Sequence, residues 1–389
     1  MRNYFDAPIK KLGFGLMRLP VINQNPNSEI DIVQVKQMVD LYLKRGFSYF
    51  DTAFVYNNGK SEEAFRLAVS ERYPRDKFQA ASKLPLWQPV DFTQMKKLTQ
   101  TSLERMGLDY FDLYLLHGVG QERLAMIDEI KAWDYLIDLK ESGKAKNIGF
   151  SYHGDGDTLN RILDARAKDL DICQLQINYL DWEDGQIQSR KCYEAAIAYG
   201  MGIIVMEPVK GGALANFTPA VAAIFQKAKP NSSLASWALR FPLNLDGVIT
   251  VLSGMSSIEQ VEDNTMIADT MGALSAEEMK VIASALEELK KVPTIPCTAC
   301  GYCLDGCPQK INTPRIIGII NDYLKYQNIV GTKRLYGMIT GTISAGAYLL
   351  KDGVAAKSSD CLECGSCEEH CPQQIKIIEA HKEAVELFE

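Results

Sequence analysis

Phe111-Asp112-Leu113-Tyr114-Leu115-Leu116-His117 is a short β-rich run with apolar side chains at every position but the second and the last. Such a stretch reads as a strand, and its surroundings decide what sheet it joins. Residues 95–105 before it and 133–141 after it carry apolar side chains at i, i+3, i+4 intervals, as helices lying on a sheet require. The same alternation runs outward in both directions. Toward the N-terminus, strands are predicted at 12–17, 47–52 and 78–83, with helices at 32–43 and 61–69. Toward the C-terminus they are predicted at 145–151, 172–177, 202–207 and 247–253, with a helix at 192–198 among them. Strands alternating with helical crossovers demand a parallel sheet. Eight such units predict an α/β fold, a closed (β/α)8 TIM barrel whose site is assembled at the C-terminal strand ends. The competitor is an open doubly wound sheet, and no G-x-G-x-x-G follows the first strand to support it.

The strand ends are chemically rich. The second strand closes on Asp51, with Tyr56 in the following loop, the third on Lys83 and the fourth on His117. The fifth ends at Ser151, the sixth carries Gln176 and Asn178, and the seventh runs into Met206, Glu207 and Lys210. The eighth leads into Ser253-Gly254-Met255-Ser256-Ser257. Each alone has a dull reading: a loop cap, a packed ring, a solvated lysine, a core histidine. Four ionisable groups at successive strand ends share one rim, and that coincidence marks a catalytic site.

The chain has 389 residues, 47% hydrophobic and 23% charged, which suits a soluble protein with one large and one small domain. A net charge of -7 argues against nucleic acid or an anionic membrane as partner. The longest uncharged stretches, 211–226 and 335–350, carry glycines and fall short of the ~20 apolar residues of a membrane span. Residues 1–10 lack the apolar core of a signal peptide. Ten cysteines without a targeting signal point to a reducing cytoplasm.

Eight of those cysteines form two copies of C-x2-C-x2-C-x3-C-P: Cys297, Cys300, Cys303, Cys307-Pro308, and Cys361, Cys364, Cys367, Cys371-Pro372. Bacterial ferredoxins hold [4Fe-4S] clusters on this spacing, the fourth thiolate of each run reaching across to the other cluster. The expectation is therefore two clusters, one on Cys297, Cys300, Cys303 and Cys371, the other on Cys361, Cys364, Cys367 and Cys307. A disulfide framework suits small secreted chains, and zinc takes cysteines as separated pairs. A structural role for the clusters competes with electron transfer. Cys173 and Cys192 lie outside both runs and read as buried small residues.

Phe50-Asp51-Thr52-Ala53 with Tyr56, Ser82-Lys83-Leu84 and Asp112-Leu113-Tyr114-Leu115-Leu116-His117 together resemble the aldo-keto reductase superfamily. The resemblance continues through Ile148-Gly149-Phe150-Ser151, Gln174-Leu175-Gln176-Ile177-Asn178-Tyr179 and 254–264, covering about three-quarters of the chain. The ferredoxin-like tail is similar to that of a bacterial and archaeal iron-sulfur branch. The resemblance implies NADPH- or NADH-dependent hydride transfer to the carbonyl of a small substrate. Tyr56 would supply the proton, Lys83 would lower its pKa, Asp51 would pair with Lys83, and His117 would orient the carbonyl oxygen. Ser151 and Gln176 would meet the nicotinamide carboxamide. Gly254, Ser256, Gln260 and Asn264 would surround the adenosine end, where a helix N-terminus suits phosphate. Four positions depart from the family: Tyr152 replaces an asparagine, Met206 an aromatic ring, and Gly254 and Gln260 the usual Lys or Arg. Lys210 is the one nearby cation to nominate. Loops at Trp87 and Trp182 are candidate substrate walls.

A helix at 276–289 after Ser275 closes the barrel domain, and Val292-Pro293-Thr294-Ile295-Pro296 breaks regular structure. The domains are thus 1–290, the barrel, and 291–389, an α-helical ferredoxin-like domain with helices at 313–326 and 334–350. Hydride transfer moves two electrons and a [4Fe-4S] cube one, and no flavin fingerprint is present to convert between them. The tail then serves as a port for ferredoxin or another redox protein, or as a structural or sensory appendage. A non-catalytic electron carrier or redox sensor, its barrel binding nicotinamide, is the alternative to a reductase.

Overall fold

A computed structural model describes residues 4–6, 8–24, 29–86, 91–185, 187–243, 245–343 and 355–389. Eight parallel strands close into a barrel in chain order: β1 (Leu12–Gly15), β2 (Tyr49–Asp51), β3 (Gln79–Pro85), β4 (Phe111–Val119), β5 (Ala145–Tyr152), β6 (Ile172–Gln176), β7 (Gly202–Met206) and β8 (Val248–Ser253). Closure is made where Leu12 pairs with Val251 and Phe14 with Ser253. All eight predicted strands are present. The crossovers are α1 (Ile32–Lys44), α2 (Lys60–Phe65), α3 (Phe92–Met106), the pair α4 (Leu124–Glu129) and α5 (Ala132–Glu141), α6 (Gly156–Arg166) and α7 (Ser189–Ala198). Two helices, α8 (Pro219–Ala228) and α9 (Leu234–Leu243), separate β7 from β8, and α10 (Ile258–Thr270) and α11 (Ala276–Lys290) follow. Among the described residues no helix is long and apolar enough to cross a membrane.

The pleat carries the site. Side chains two residues apart on a strand share a face, and Tyr49, Ala81, Leu113, Leu115, Ile172, Ile204 and Leu252 fill the barrel interior. Phe5 and Ile9 pack against this interior cluster, Phe5 meeting Tyr49 edge-on at 5.5 Å. Two residues beyond Tyr49, Ala81 and Leu115 come Asp51, Lys83 and His117, so the alternation that builds the core also raises these three at one mouth. Gly149 has a close-packing reason: a Cβ there would lie 1.9 Å from the carbonyl oxygen of Ile172 on the neighbouring strand.

The chain divides into two compact units, Met1–Lys210 with Ala235–Ser275, and Gly211–Leu234 with Ala276–Glu389. This division runs differently from a cut after residue 290, because α8 and α11 pack on each other within the second unit. Lys229 bridges to Glu278 there at 2.5 Å. Among the described residues that unit also holds two short helices, α12 (Tyr302–Asp305) and α15 (Ser366–Glu369), and three longer ones, α13 (Thr313–Tyr326), α14 (Ile329–Ile339) and α16 (Ile377–Phe388). Its core is rich in isoleucine, with Cys303 inside and Cys297, Cys307, Cys361, Cys367 and Cys371 packed against it.

The helix predicted at 313–326 is found with those bounds. The one predicted at 334–350 is corrected: α14 starts at Ile329, where the Asn328 side chain accepts from Gly331 N–H at 3.0 Å, and stops at Ile339. Gly341, at φ 72°, takes the chain out of the helix, and 344–350 lie outside the described residues.

Candidate active site and cluster cradle

Asp51 and Lys83 form a buried ion pair, Nζ to Oδ1 2.5 Å, with side chains 3% and 1% exposed. Lys83 Nζ also donates to the carbonyl of Thr52 at 2.8 Å. Burial pushes the carboxyl up and the ammonium down, each opposed by the other's charge. The ammonium stands 5.0 Å from the centre of the Tyr56 ring, which meets His117 edge-on at 5.6 Å. Tyr56 is aimed by its own loop: Asn57, Asn58 and Gly59 have φ of 49°, 57° and 86° in succession. Two asparagines tolerate the left-handed region and glycine adopts it freely. Behind the site, Glu62 on α2 is fully buried, accepting from Ser82 Oγ at 2.7 Å and meeting Arg105 at 3.4 Å. Sequence reasoning passed over Glu62, because its role depends on a pleat that turns Ser82 outward while Lys83 turns in.

The electrostatics differ from expectation at Tyr56. Its phenol is held well above the ordinary value of 10.0, first by burial, then by the charges of Asp51 and Glu207, with Arg18 opposing. Lys83 does not bring it down, because its charge is matched at 2.5 Å by Asp51, which acts the other way. His117 is held well below 6.5 by burial and then by Lys83, His153 and Arg123. At neutral pH His117 is therefore an uncharged hydrogen-bonding group, and Tyr56 carries its proton.

The other predicted positions fall in two groups. Around Asp181, which is 2% exposed, Gln176 Nε2 donates at 2.8 Å, Asn178 Nδ2 at 2.7 Å and Lys210 Nζ at 2.6 Å. Lys210 is thus committed to a buried carboxylate rather than presented to a ligand phosphate, and Asp181 and His153 are site neighbours that the strand-end reading missed. Ser151 Oγ accepts from Gly118 N–H at 2.8 Å, and Met206 is 9% exposed in the barrel interior. Tyr152 turns its hydroxyl to the carbonyl of Asp155 at 2.7 Å.

The second group lies beyond β8. Ser257 caps α10 by accepting from Gln260 N–H at 3.3 Å, while Gln260 Oε1 accepts from Ser256 N–H at 2.7 Å. Asn264 is 6% exposed and donates to Ser253 Oγ at 2.8 Å. Gly254 lies under Arg18, whose side-chain carbons stand 3.3 to 3.5 Å from where a Cβ would be. Arg18 is half-buried and makes no ion pair among the described residues. Trp182 packs edge-on against Phe241 at 5.2 Å, a structural placement, and Trp87 lies outside the described residues.

These residues suit a dinucleotide. Among the described residues Asp51 Oδ2 is buried at the mouth with no hydrogen bond of good geometry, Gln174 being its nearby polar side chain, which leaves it an acceptor for a ligand hydroxyl. Gly254 leaves bare backbone beside an uncommitted guanidinium, and the first N–H groups of α10 follow.

No disulfide joins any of the ten cysteines, the eight of the second unit or Cys173 and Cys192 of the barrel. Cys307, Cys361, Cys364 and Cys367 line one shallow recess. Cys367 is pushed up to about 11 by burial and by its neighbours, Cys361 and Cys307 among them. The thiol of Cys303 is likewise raised by burial, and the groups acting on it include Cys297, Cys300 and Cys371. The fourth cysteine of each run thus sits with the first three of the other, as cubane ligation across two copies requires. Among the described residues no three ligands are gathered as a single metal ion needs.

A closed (β/α)8 barrel with a buried Asp–Lys pair beneath a tyrosine and a histidine, followed by two crossed cysteine quartets, defines an oxidoreductase with an iron-sulfur tail. Residues 11–287 match the model of the aldo/keto reductase family, and residues 296–375 match that of the 4Fe-4S dicluster domain. The chain belongs to the aldo/keto reductase family. It is 26% identical over 294 residues to an aldo-keto reductase of Mycolicibacterium smegmatis, covering 73% of this chain and 96% of that one. It is 25% identical over 314 residues to the uncharacterized oxidoreductase YqkF of Bacillus subtilis, covering 72% and 93%. Among solved structures, the holo form of an aldo-keto reductase from Bacillus halodurans superposes with a TM-score of 0.57 at 24% identity, covering 71% of this chain and 92% of that one. An aldo/keto reductase from Klebsiella pneumoniae in complex with NADP and acetate gives 0.56 at 20% identity, covering 72% and 91%. Both structural likenesses speak to the fold.

Proposed function

We propose that this protein reduces a small aldehyde or ketone to the alcohol, or runs the reverse, using NADPH or NADH at the barrel mouth. The carrying observation is the Asp51–Lys83 pair set beneath a protonated Tyr56 and a neutral His117. When bound, the reduced nicotinamide supplies the hydride. His117 hydrogen-bonds the carbonyl oxygen and orients it, and being uncharged it keeps its N–H instead of competing as the acid. Tyr56 passes its phenolic proton to that oxygen as negative charge develops. A phenol held above its usual pKa still donates to an alkoxide, which is the stronger base. Lys83 and Asp51 fix the electrostatic floor beneath the ring, and Asp51 Oδ2 receives a cofactor hydroxyl. Ser151 and Gln176 are assigned to the nicotinamide end, and Gly254, Ser256, Gln260 and Asn264 to the adenosine end. Arg18 replaces Lys210 as the cation for a cofactor phosphate.

The segment 291–389 is assigned as the cluster domain, with two [4Fe-4S] clusters on the crossed quartets that exchange single electrons with ferredoxin or another redox protein in a reducing cytoplasm. Support comes from the recess lined by Cys307 and the second run, and from the dicluster family match.

Anaerobically purified protein, loaded with clusters, is to be assayed with NADPH and NADH against a panel of carbonyl compounds. Turnover is expected with at least one pair. Tyr56→Phe should lower kcat by a factor of ~100 or more, with cofactor affinity within about twofold of wild type. Retained turnover in that variant rules out Tyr56 as the acid. Binding of cofactor without oxidation by any carbonyl would make the barrel a sensor.

A further inference from the structure

The cluster unit is a two-fold repeat, and the repeat is broken beside one quartet. The likeness of its copies extends well past the cysteines. Helices α12 and α15 start at equivalent positions, as do α13 and α16. Positive φ recurs at Ala299 and Glu363, at Gly301 and Gly365, and at Lys310 and Gln374. Against this likeness, Thr313 corresponds to Ile377, and Ile317 to His381. Because the quartets cross, the two polar members of these pairs fall together. Thr313 and His381 both line the recess of Cys307, Cys361, Cys364 and Cys367. Their counterparts Ile377 and Ile317 are each 1% exposed, inside the isoleucine core that also holds Cys303.

We infer that the two clusters are unequal: the one beside Thr313 and His381 accepts the first electron, and the one on Cys297, Cys300, Cys303 and Cys371 accepts the second. This rests on the two-cluster reading above. Reduction adds one negative charge to a cube, which nearby dipoles and hydrogen-bond donors stabilise and hydrocarbon does not. His381 is buried, its Nε2 3.0 Å from Thr313 Oγ1 and its Nδ1 3.2 Å from Ser358 Oγ. A neutral imidazole has one donor and one acceptor. In the tautomer with hydrogen on Nε2, Nε2–H donates to Thr313, Ser358 donates to Nδ1, and the Thr313 hydroxyl hydrogen is left for an acceptor in the recess; in the other tautomer the dipoles of Thr313 and His381 still line it. The apolar counterparts offer the other cluster no such donor.

An anaerobic dithionite titration of the full chain, followed by electron paramagnetic resonance, tests this, with iron and sulfide measured on the same sample. Wild type is expected to give two one-electron waves separated by a factor of roughly ten or more in reduction equilibrium, about 59 mV. Thr313→Val and His381→Ile should each lower the upper wave and leave the lower one in place. Coincident waves in wild type, or an upper wave unmoved in both variants, would overturn the inference. Thr313→Val removes one hydroxyl with little change of shape, so it decides the matter if His381→Ile does not fold. Iron and sulfide short of two cubes in wild type would instead overturn the two-cluster reading, and the inference with it.

Discussion

The barrel mouth and the cluster cradle are built on opposite plans. At the mouth, Asp51 ends its strand and Lys83 and His117 stand two residues before the ends of theirs, on strands whose earlier residues already form a packed interior. The scaffold exists before any ligand, and the charged groups are held by it at 1 to 6% exposure. In the cradle the ligands sit on loops and short helices, and five of the eight cysteines are only partly buried against a core of isoleucines. That core is small for the length of chain around it, so cluster bonds are a structural part of the unit. One region presents chemistry that its fold has made rigid. The other depends on its chemistry to complete its fold.

Three measurements would break or sharpen this contrast. The largest effect is expected from removing iron. Anaerobic chelation should abolish the helical circular dichroism of α13 to α16 and open that unit to protease, while nicotinamide binding by the barrel persists. Survival of those helices would erase the distinction. Next comes Lys83→Met, which strands Asp51 as an uncompensated buried charge and should cost about 3–5 kcal/mol in urea unfolding. The double substitution Asp51→Leu with Lys83→Met should recover part of that loss. A single variant as stable as wild type would show that the mouth is not held by the pair. The smallest effect concerns pH. His117 has a folded pKa below its ordinary 6.5, so as pH falls the unfolded chain takes up the proton first. Its contribution is whole above about 6.5 and is lost below it, at up to about 1.4 kcal/mol per pH unit. Urea midpoints compared on either side of that pH should converge for wild type and His117→Gln under acid.

Much of the fold was legible because it is written in local periodicity. Eight β-rich runs and the helices between them follow from patterns a few residues long, and the thiol spacing is equally local. Boundaries were less legible where a single residue intervenes. Gly341 ends α14 well short of the uncharged run that suggested a longer helix, and α2 continues into a wider turn at Arg66–Ser70 instead of reaching 69 as one helix. The candidate site was legible in membership and less so in state. Lys210 looked available until Asp181, distant in the chain, was found to hold it at 2.6 Å. Arg18 gave no signal at all, since only the closure of β1 on β8 lays it over Gly254.

The sequence by itself determined the barrel and the two repeated runs of thiols, and pointed to four candidate groups at the mouth, because periodicity and spacing act through the nearest turns of backbone. Only the tertiary structure decided that the Tyr56 pKa is raised and not lowered, that His117 is neutral, that Lys210 is taken, and that Thr313 and His381 face one quartet while isoleucines occupy the matching places. Those are questions of distance and burial between residues far apart in the chain, and Coulomb and desolvation energies depend on that separation and not on sequence spacing.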